Sequence, residues 1–487
     1  LNSGLFLSID AGTTNLKAGV VDPRGRIIAT AERRMRLIRD AQGRAEHDPE
    51  ELWRAAAEAG RTAVRGRAGR VEAVVLSSYQ MGLVALDARM RPLTGMATIL
   101  DARPRAAFGS LLRRPGMRAL YRRTGTPPFA LSPLARLHWL RTAHYPLFHR
   151  AAWFLGSKDW LLWRMTGILA AEMSVASATG LLDFRAAKWD EMALDLAGVD
   201  GRRLPPVVSG DRVIGRLNAR AARELGLARG VPVVPGLYDG GTLAVGLGAL
   251  EPGIAAVNLG TSAMMRTGVR RPVVDASGAM RLSTIPLVPG LWLTGAGVNN
   301  AGNAIEWFME TFGVRGYAQL DRLVRRAGAG EDAPVAFPFL TAERDPRLAA
   351  LDGAAFTGLR PHHRLPEMAL ALLEGIACSL RLIRDALREN GVPVREIRAG
   401  GGGTNLPSWM EIIAGVLGSP VRGTCSGGAV LAGSAALALA ALGRNGSLRG
   451  AARPLAAAGR AVVSRGKAGG RDARFRLFVQ GLPRAAG

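Results

Sequence analysis

Cysteine is almost missing. Cys378 and Cys425 are the only two in 487 residues, too few for a disulfide framework and without metal-ligand spacing, so a zinc module is excluded and a reducing compartment is expected. Lysine is nearly as rare: of 64 basic residues, only Lys17, Lys158, Lys188 and Lys467 are lysine. No apolar stretch is long enough to cross a bilayer without carrying charge, and the chain starts on a strand-like stretch rather than a charged and then apolar leader. A cytoplasmic protein with no membrane partner is therefore expected. Acids are short as well, 39 against 64, for a formal charge of +25, which raises the question of nucleic acid. The arginines are scattered through stretches such as ELWRAAAEAGRTAVRGRAGR, and no stacking platform, zinc finger or recognition helix accompanies them, so nucleic acid is not an expected partner. The tail, about 446–487, is the exception, with Asp472 its single acid and much glycine. Part of it is expected to be mobile, with an electrostatic tether for anionic partners as its functional alternative.

What the chain does have is a short apolar strand running into a small-residue turn, LFLSIDAGTTNLKAGVVD, and a similar phrase far downstream, IAAVNLGTSAMMRTGV. In the first, Leu5, Leu7 and Ile9 alternate as in a strand, Gly12 relaxes the backbone, and Thr13, Thr14 and Lys17 supply hydroxyls and a positive charge, a set that can close around a phosphate. Asp10 would repel a phosphate but can hold a hydrated magnesium ion that bridges phosphate oxygens. The second phrase repeats the order as Gly260, Thr261 and Ser262, without the acid and the lysine. Either phrase alone reads equally well as an ordinary hairpin with a Gly/Thr turn; their recurrence favours phosphate. A lysine kept in the first turn of so arginine-rich a chain agrees, because a compact point charge suits a phosphate oxygen.

The length exceeds what one hydrophobic core serves, and strands alternate with helices: VEAVVLSS follows a helix, IRAGGG follows MALALLEGIACSLRLIRDALRENG, and WMEIIAGVLG opens another helix. The fold class is α/β with covered sheets. The glycine-rich stretch GLYDGGTLAVGLGALEPGIAAVNLG is read as the boundary between two strand-first halves, 1–247 and 248–487 with its basic tail, an internal duplication around a central cleft.

The chain resembles the FGGY family of sugar kinases, within the actin-like and ribonuclease H-like ATPases, most closely its gluconokinase and xylulokinase branches. The resemblance runs through IDAGTTNLK, AEHDPEELW, YRRTGTPP, ASATGLLDF with KWDEMAL, GLYDGG, NLGTSA, GVNNAGNAIEWF, FLTAERDP and GGGTNLPSWMEIIAGVLGSPV in order, and the collinear order carries it. It implies two actin-like domains closing over ATP, Mg2+ and a small carbohydrate, with homodimerisation a family expectation. It implies Asp239 as the general base that takes the proton of the attacking sugar hydroxyl. It further implies Gly12, Thr13, Thr14, Lys17, Gly260, Thr261 and Ser262 at the ATP phosphates, Asp10 at the metal through water, and Gly401, Gly402, Gly403, Thr404 and Asn405 at adenosine. In isolation Asp239-Gly240 is also a common turn pair and the glycine run a loop.

The acceptor side departs from the family. Gln80 and Met81 stand where those branches carry Met-His, and Ile99 and Ala102 replace a tryptophan and an asparagine around the retained Asp101 and Arg103. Gln80, Met81, Asp101, Arg103 and Asp239 are the expected substrate contacts, with Arg103 suited to an acid sugar's carboxylate or, equally, to a salt bridge with Asp101. Ala342 stands where the family has glycine, and Glu343 and Arg344 read as cleft scaffold. The expected function is phosphoryl transfer from ATP to a gluconate-like aldonic acid or a ketose such as xylulose. The alternatives are a sensor of the same fold that has lost turnover and a chaperone-type ATPase, which would lack the Asp239 motif.

Overall fold

The computed structural model describes residues 4–114, 116–328, 332–345, 348, 351, 353–424, 428–457, 460–462 and 468–482. Cys425, Lys467 and parts of the basic tail lie outside the described residues.

Leu5–Ala11 (β1), Asn15–Val21 (β2) and Ile27–Arg34 (β3) form an antiparallel meander. Helix α1 (Pro49–Ala63) then leads to Val71–Ser78 (β4), which lies parallel to β1. Asp48 starts α1 by accepting from the Glu50 N–H at 2.8 Å, Pro49 opens its first turn, and Glu50 and Glu51 face the positive end of the helix dipole. After Met117–Thr124 (α2), Ser157–Thr166 (α3) and Met173–Ser177 (α4), Pro232–Val234 (β5) adds to the sheet, giving the order β3-β2-β1-β4-β5 with Gly215–Arg216 at the edge. Asp239–Gly246 (α5) follows.

The plan then repeats. Gly253–Leu259 (β6) and Ala263–Val269 (β7) form a second hairpin, Ser283–Val288 (β8) and Leu291–Val298 (β9) extend it, and helix α6 (Leu365–Glu389) leads to Val394–Gly400 (β10), parallel to β6. Pro407–Leu417 (α7) leads to Val421–Gly423 (β11), and the order is β8-β9-β7-β6-β10-β11 with Arg460–Val462 at the edge. Even an irregularity is shared: the register shifts between Leu5 and Phe6 where β1 meets β4, and between Gly253 and Ile254 where β6 meets β10.

Successive side chains of a strand face opposite ways, and here both faces are covered. Leu5, Leu7 and Ile9 enter a core with Trp53 and Trp160. Phe6 enters another, shared with Tyr238, Leu247, Leu293 and two residues of Ala429–Ala441 (α8), Leu431 and Leu437, so this core joins the two sheets. The Ser8 hydroxyl lies in it, donating to Ser434 Oγ at 2.8 Å.

Within the glycine-rich stretch read as a boundary lies the helix α5, buried from Gly241 onward. Its glycines serve contact rather than freedom. A Cβ on Gly246 would stand 1.8 Å from the Ala429 carbonyl oxygen, and one on Gly433 would stand 2.1 Å from that of Thr242. The two helices therefore meet backbone to backbone.

A second junction lies at α2. The Tyr121 hydroxyl donates to the Leu282 carbonyl and accepts from the Asp275 N–H, both at 2.8 Å, the Thr284 N–H donates to the Gly125 carbonyl at 2.8 Å, and the Trp292 indole donates to the Phe184 carbonyl at 3.0 Å. Part of the tail is expected to be mobile; the part whose side chains are described is docked. In Ala468–Gly481 (α9), Arg474 pairs with Glu374 at 2.5 Å, Asp472 with Arg381 at 2.5 Å, and the buried Phe478 stacks on Phe337. Cys378 is buried, and burial pushes its thiol up to about 12. Among the described residues no helix is long and apolar enough to cross a membrane.

Gly246→Ala is expected to lower stability by about 2 kcal/mol or more, because backbone atoms cannot move aside as a side chain can. Gly69→Ala, where a Cβ meets nothing within 4 Å, is the control; thermal melts of the two variants should separate clearly.

Candidate active site

Each hairpin turn closes through its glycine amide, the second one residue tighter than the first: the Gly12 N–H donates to the Asn15 carbonyl and the Gly260 N–H to that of Ser262, each at 3.1 Å. Gly12 is needed for close approach, since a Cβ there would stand 2.6 Å from the Asn15 oxygen. His47, from the AEHDPEELW phrase, braces the first turn. Its Nε2 lies 3.0 Å from the Thr13 carbonyl and its Nδ1 3.2 Å from the Tyr79 hydroxyl, partners that assign the proton to Nε2. Burial keeps the ring's pKa below its usual value.

A cavity of about 650 Å³ opens where the sheets face each other, large enough for a nucleotide phosphate chain and a small acceptor. Of the residues singled out in the sequence, Asp10, Gly12, Thr13, Thr14, Gln80, Met81, Asp239 and Ser262 line it. Lys17 sits across the hairpin, directly opposite Asp10. Gly260 and Thr261 form the turn beside Ser262, with Thr261 exposed and its carbonyl accepting from the Asn303 N–H at 3.0 Å. The 401–405 run leaves β10 beside the end of β6: Gly401 has φ +96°, and a Cβ there would stand 2.8 Å from Asn258 Oδ1. Glycine thus serves a left-handed backbone and a close approach at once. Gly402 has open space around it, Gly403 packs under Trp409, Thr404 bonds the Gly401 carbonyl at 2.8 Å, and Asn405 is exposed.

Asp101 and Arg103, expected among the substrate contacts, are not brought to this cavity. Asp101 is buried, Arg103 Nε bonds its Oδ1 at 2.9 Å, and the same guanidinium pairs with Glu46 and lies over Trp139. Two carboxylates and an aromatic face consume the fork geometry of the arginine. Ile99 does reach the cavity. Glu343 is scaffold: its carboxylate accepts from the Asn299 N–H at 2.7 Å and the Asn300 N–H at 3.1 Å. Arg344, read with it, instead lines the cavity while bonding Asn299 Oδ1 at 2.7 Å.

Met81 has φ +66° and Met280, also on the cavity wall, φ +53°. A left-handed methionine costs about 1 kcal/mol, so something must hold it. At Met81 it is the buried guanidinium of Arg136, which bonds the Met81 and Thr98 carbonyls together. Gln80 is fixed by donation from Nε2 to the Ser174 carbonyl at 3.1 Å, leaving its amide oxygen for a ligand.

Of the three carboxylate residues that line the cavity, Asp10, Asp239 and Asp345, the first two are the ones singled out in the sequence. Burial, and then repulsion from Asp239, push Asp10 up to about 6 against the pull of Ser77, Lys17 and Lys158. Its Oδ1 is buried with no hydrogen-bond partner, so the residues present fit a nearby cation. Asp239 opens on the cavity while the surrounding walls hold bulk water away, which pushes its carboxyl up; the Gly240 N–H at 2.7 Å, Arg266, Lys158 and Arg344 pull it down. A base of raised affinity for a proton, beside two guanidinium groups, is suited to deprotonating a hydroxyl next to an anion.

Arg266, Lys158 and Glu172 escaped the sequence reading. Arg266 stands in the middle of β7 with its guanidinium over the Tyr238 ring, and the signal was a charge inside an apolar strand. Lys158 and Glu172 are wholly buried and pair at 3.2 Å. The scarcity of lysine that marked Lys17 marks Lys158 equally.

Residues 5–246 match the family model described as FGGY family of carbohydrate kinases, N-terminal domain, and residues 255–442 match its C-terminal domain. The gluconokinase of Bacillus subtilis is 28% identical over 446 residues, 88% of this chain and 86% of the relative. The xylulose kinase of Lactococcus lactis is 28% identical over 422 residues, 85% and 83% of the two. The crystal structure of gluconate kinase from Lactobacillus acidophilus superposes with a TM-score of 0.92 at 27% identity, covering 98% of this chain and 97% of that one.

An acid whose folded pKa exceeds its unfolded value costs stability once the pH rises past the unfolded value. For Asp10 that cost is nil below about pH 4 and complete above its folded value of about 6. Asp10→Asn is therefore expected to stabilise the ligand-free protein at pH 7, by at most about 3 kcal/mol, and to leave it unchanged near pH 4; denaturant unfolding at the two pH values checks this.

Proposed function

The chain belongs to the FGGY family of carbohydrate kinases and is an ATP-dependent sugar phosphotransferase of gluconokinase- or xylulokinase-like type; from that premise we propose that its acceptor is a gluconate-like aldonic acid or a ketose such as xylulose, with Asp239 as general base. In this reading, residues 1–247 supply the first phosphate turn, the acceptor wall and the base, and residues 248–487 supply the second phosphate turn and the adenosine loop. The observation that carries it is the placement of Asp239, which opens into one cavity with Thr13 and Thr14 of the first turn and Ser262 of the second.

The acceptor hydroxyl gives its proton to Asp239 as its oxygen attacks the γ-phosphorus, and the bond to the β,γ-bridging oxygen breaks to release ADP. Backbone N–H groups and hydroxyls at 12–14 and 260–262, with Lys17, hold the phosphates; Gly401, Gly402, Gly403, Thr404 and Asn405 border adenosine. Mg2+, held by Asp10 through water, would neutralise phosphate charge. Arg266 and Arg344 keep Asp239 ionised and favour an acceptor or phosphate carrying negative charge. On the acceptor side, Met81 stands in the place of the family's imidazole, the Gln80 amide oxygen is the polar group beside it, and Met81, Ile99 and Phe129 form an apolar wall.

Coupled ADP release with Mg-ATP across aldonic acids, pentuloses, polyols and deoxy sugars, with the phosphorylated product identified, tests this reading. One strong aldonic-acid or ketose response is expected; silence across the panel with ATP bound overturns the reading in favour of a sensor. Asp239→Asn should cut kcat at least about a hundredfold with ATP affinity unchanged. In the unmodified protein kcat should rise with pH along an acid limb displaced above the ordinary carboxylate range, because the proton must leave Asp239 before it can act as base.

A further inference from the structure

The pair Lys158–Glu172 continues beyond itself. Glu172 ends a short strand, Ala171–Glu172, and caps α4, accepting from the Ser174 N–H at 2.8 Å through Oε1 and from the Val175 N–H at 3.3 Å through Oε2. Its Oε2 also receives Lys158 Nζ at 3.2 Å and the Ser174 hydroxyl at 2.6 Å. A hydroxyl has one proton to give. With that proton spent on Glu172, the Ser174 oxygen must turn a lone pair outward, and there it accepts from the Tyr238 N–H at 3.0 Å.

Tyr238 is the residue that starts α5, with φ −60° and ψ 161°, so its N–H points away from the helix and has no partner within it. The next residue is Asp239. The carbonyl of the same serine holds the Gln80 amide at 3.1 Å. Lys158, Glu172 and Ser174 are completely buried and Tyr238 nearly so, hence water cannot substitute for any link.

We propose that Ser174 is a positioning residue for phosphoryl transfer: its hydroxyl, oriented by Glu172 and Lys158, fixes the backbone from which Asp239 springs, and its carbonyl fixes Gln80, so that base and acceptor wall share one register. The proposal rests on the reading of Asp239 as base. A single buried residue serves both sides because proton abstraction tolerates little misplacement of the base relative to the hydroxyl it must reach. Glu172 can take the serine proton because its carboxylate accepts from four donors, Lys158 among them, and these oppose the burial that pushes its affinity for a proton up.

Ser174→Ala removes the link without adding bulk, and Ser174→Thr keeps the hydroxyl. Both are to be compared with the unmodified chain by steady-state kinetics on the best acceptor of the panel and by hydrogen–deuterium exchange of the peptide containing Tyr238 and Asp239. The expected result for Ser174→Ala is a kcat lowered about tenfold to a hundredfold, with both KM values within about twofold and faster exchange at the Tyr238 amide. Ser174→Thr should recover most of the rate and the protection. Faster exchange with kcat within twofold of the unmodified enzyme would make the bond structural only and overturn the proposal, as would unchanged exchange in Ser174→Ala. Unmodified protein that binds ATP yet phosphorylates no acceptor overturns the kinase reading itself, a result separate from either.

Discussion

Helices α5 and α8 touch backbone to backbone, and the place of Asp239 follows from that contact. Gly246 at the far end of α5 rests on the Ala429 carbonyl, so the helix can neither slide nor lift. Its other end is tied through the Tyr238 N–H to Ser174. A helix of eight residues anchored at both ends is a short rigid rod, and the carboxylate on its first residue has almost no positional freedom beyond its own two torsions. The apolar core shared by the two sheets surrounds the same rod, so the stability of the whole and the aim of one side chain are secured together.

Around that rod the charges are arranged in opposition. Burial raises the affinity of Asp10 and Asp239 for protons, and Asp239 raises that of Asp10 further; Lys17 and Lys158 lower it at Asp10, and Arg266, Lys158 and Arg344 at Asp239. Neither carboxylate is neutralised by a direct salt bridge among the described residues. The cations act at a distance, leaving the carboxylate oxygens available to a ligand. This differs from Asp101, whose oxygens are occupied by Arg103 and which for that reason has nothing to offer a substrate.

The two hairpins, the strands that follow helices and the duplicated plan were legible because each rests on local signals: alternation, a small-residue turn, a helix start. Asp10, Thr13, Thr14, Asp239 and Ser262 converge on one cavity from three separate stretches, and the family resemblance made that readable where spacing alone did not. The glycines at 240–248 lie where the two halves were read to meet, and what lies opposite a glycine is not legible in a sequence; here it is another helix. The described end of the basic tail is docked on Glu374 and Phe337, about a hundred residues away or more. Of the two roles open to Arg103, a salt bridge is the one present, with Asp101 and with Glu46. Contacts made at long range decide each case, and periodicity carries no information about them.

The bonds of Tyr121, Gly125 and Phe184 to the strands at 282–292 run along one margin of the cavity, since Thr126 and Ser283 both line it. They work as a seam. Four hydrogen bonds thus tie 121–184 to 275–292 beside the cavity, and any rotation of one sheet against the other would have to turn about them or break them.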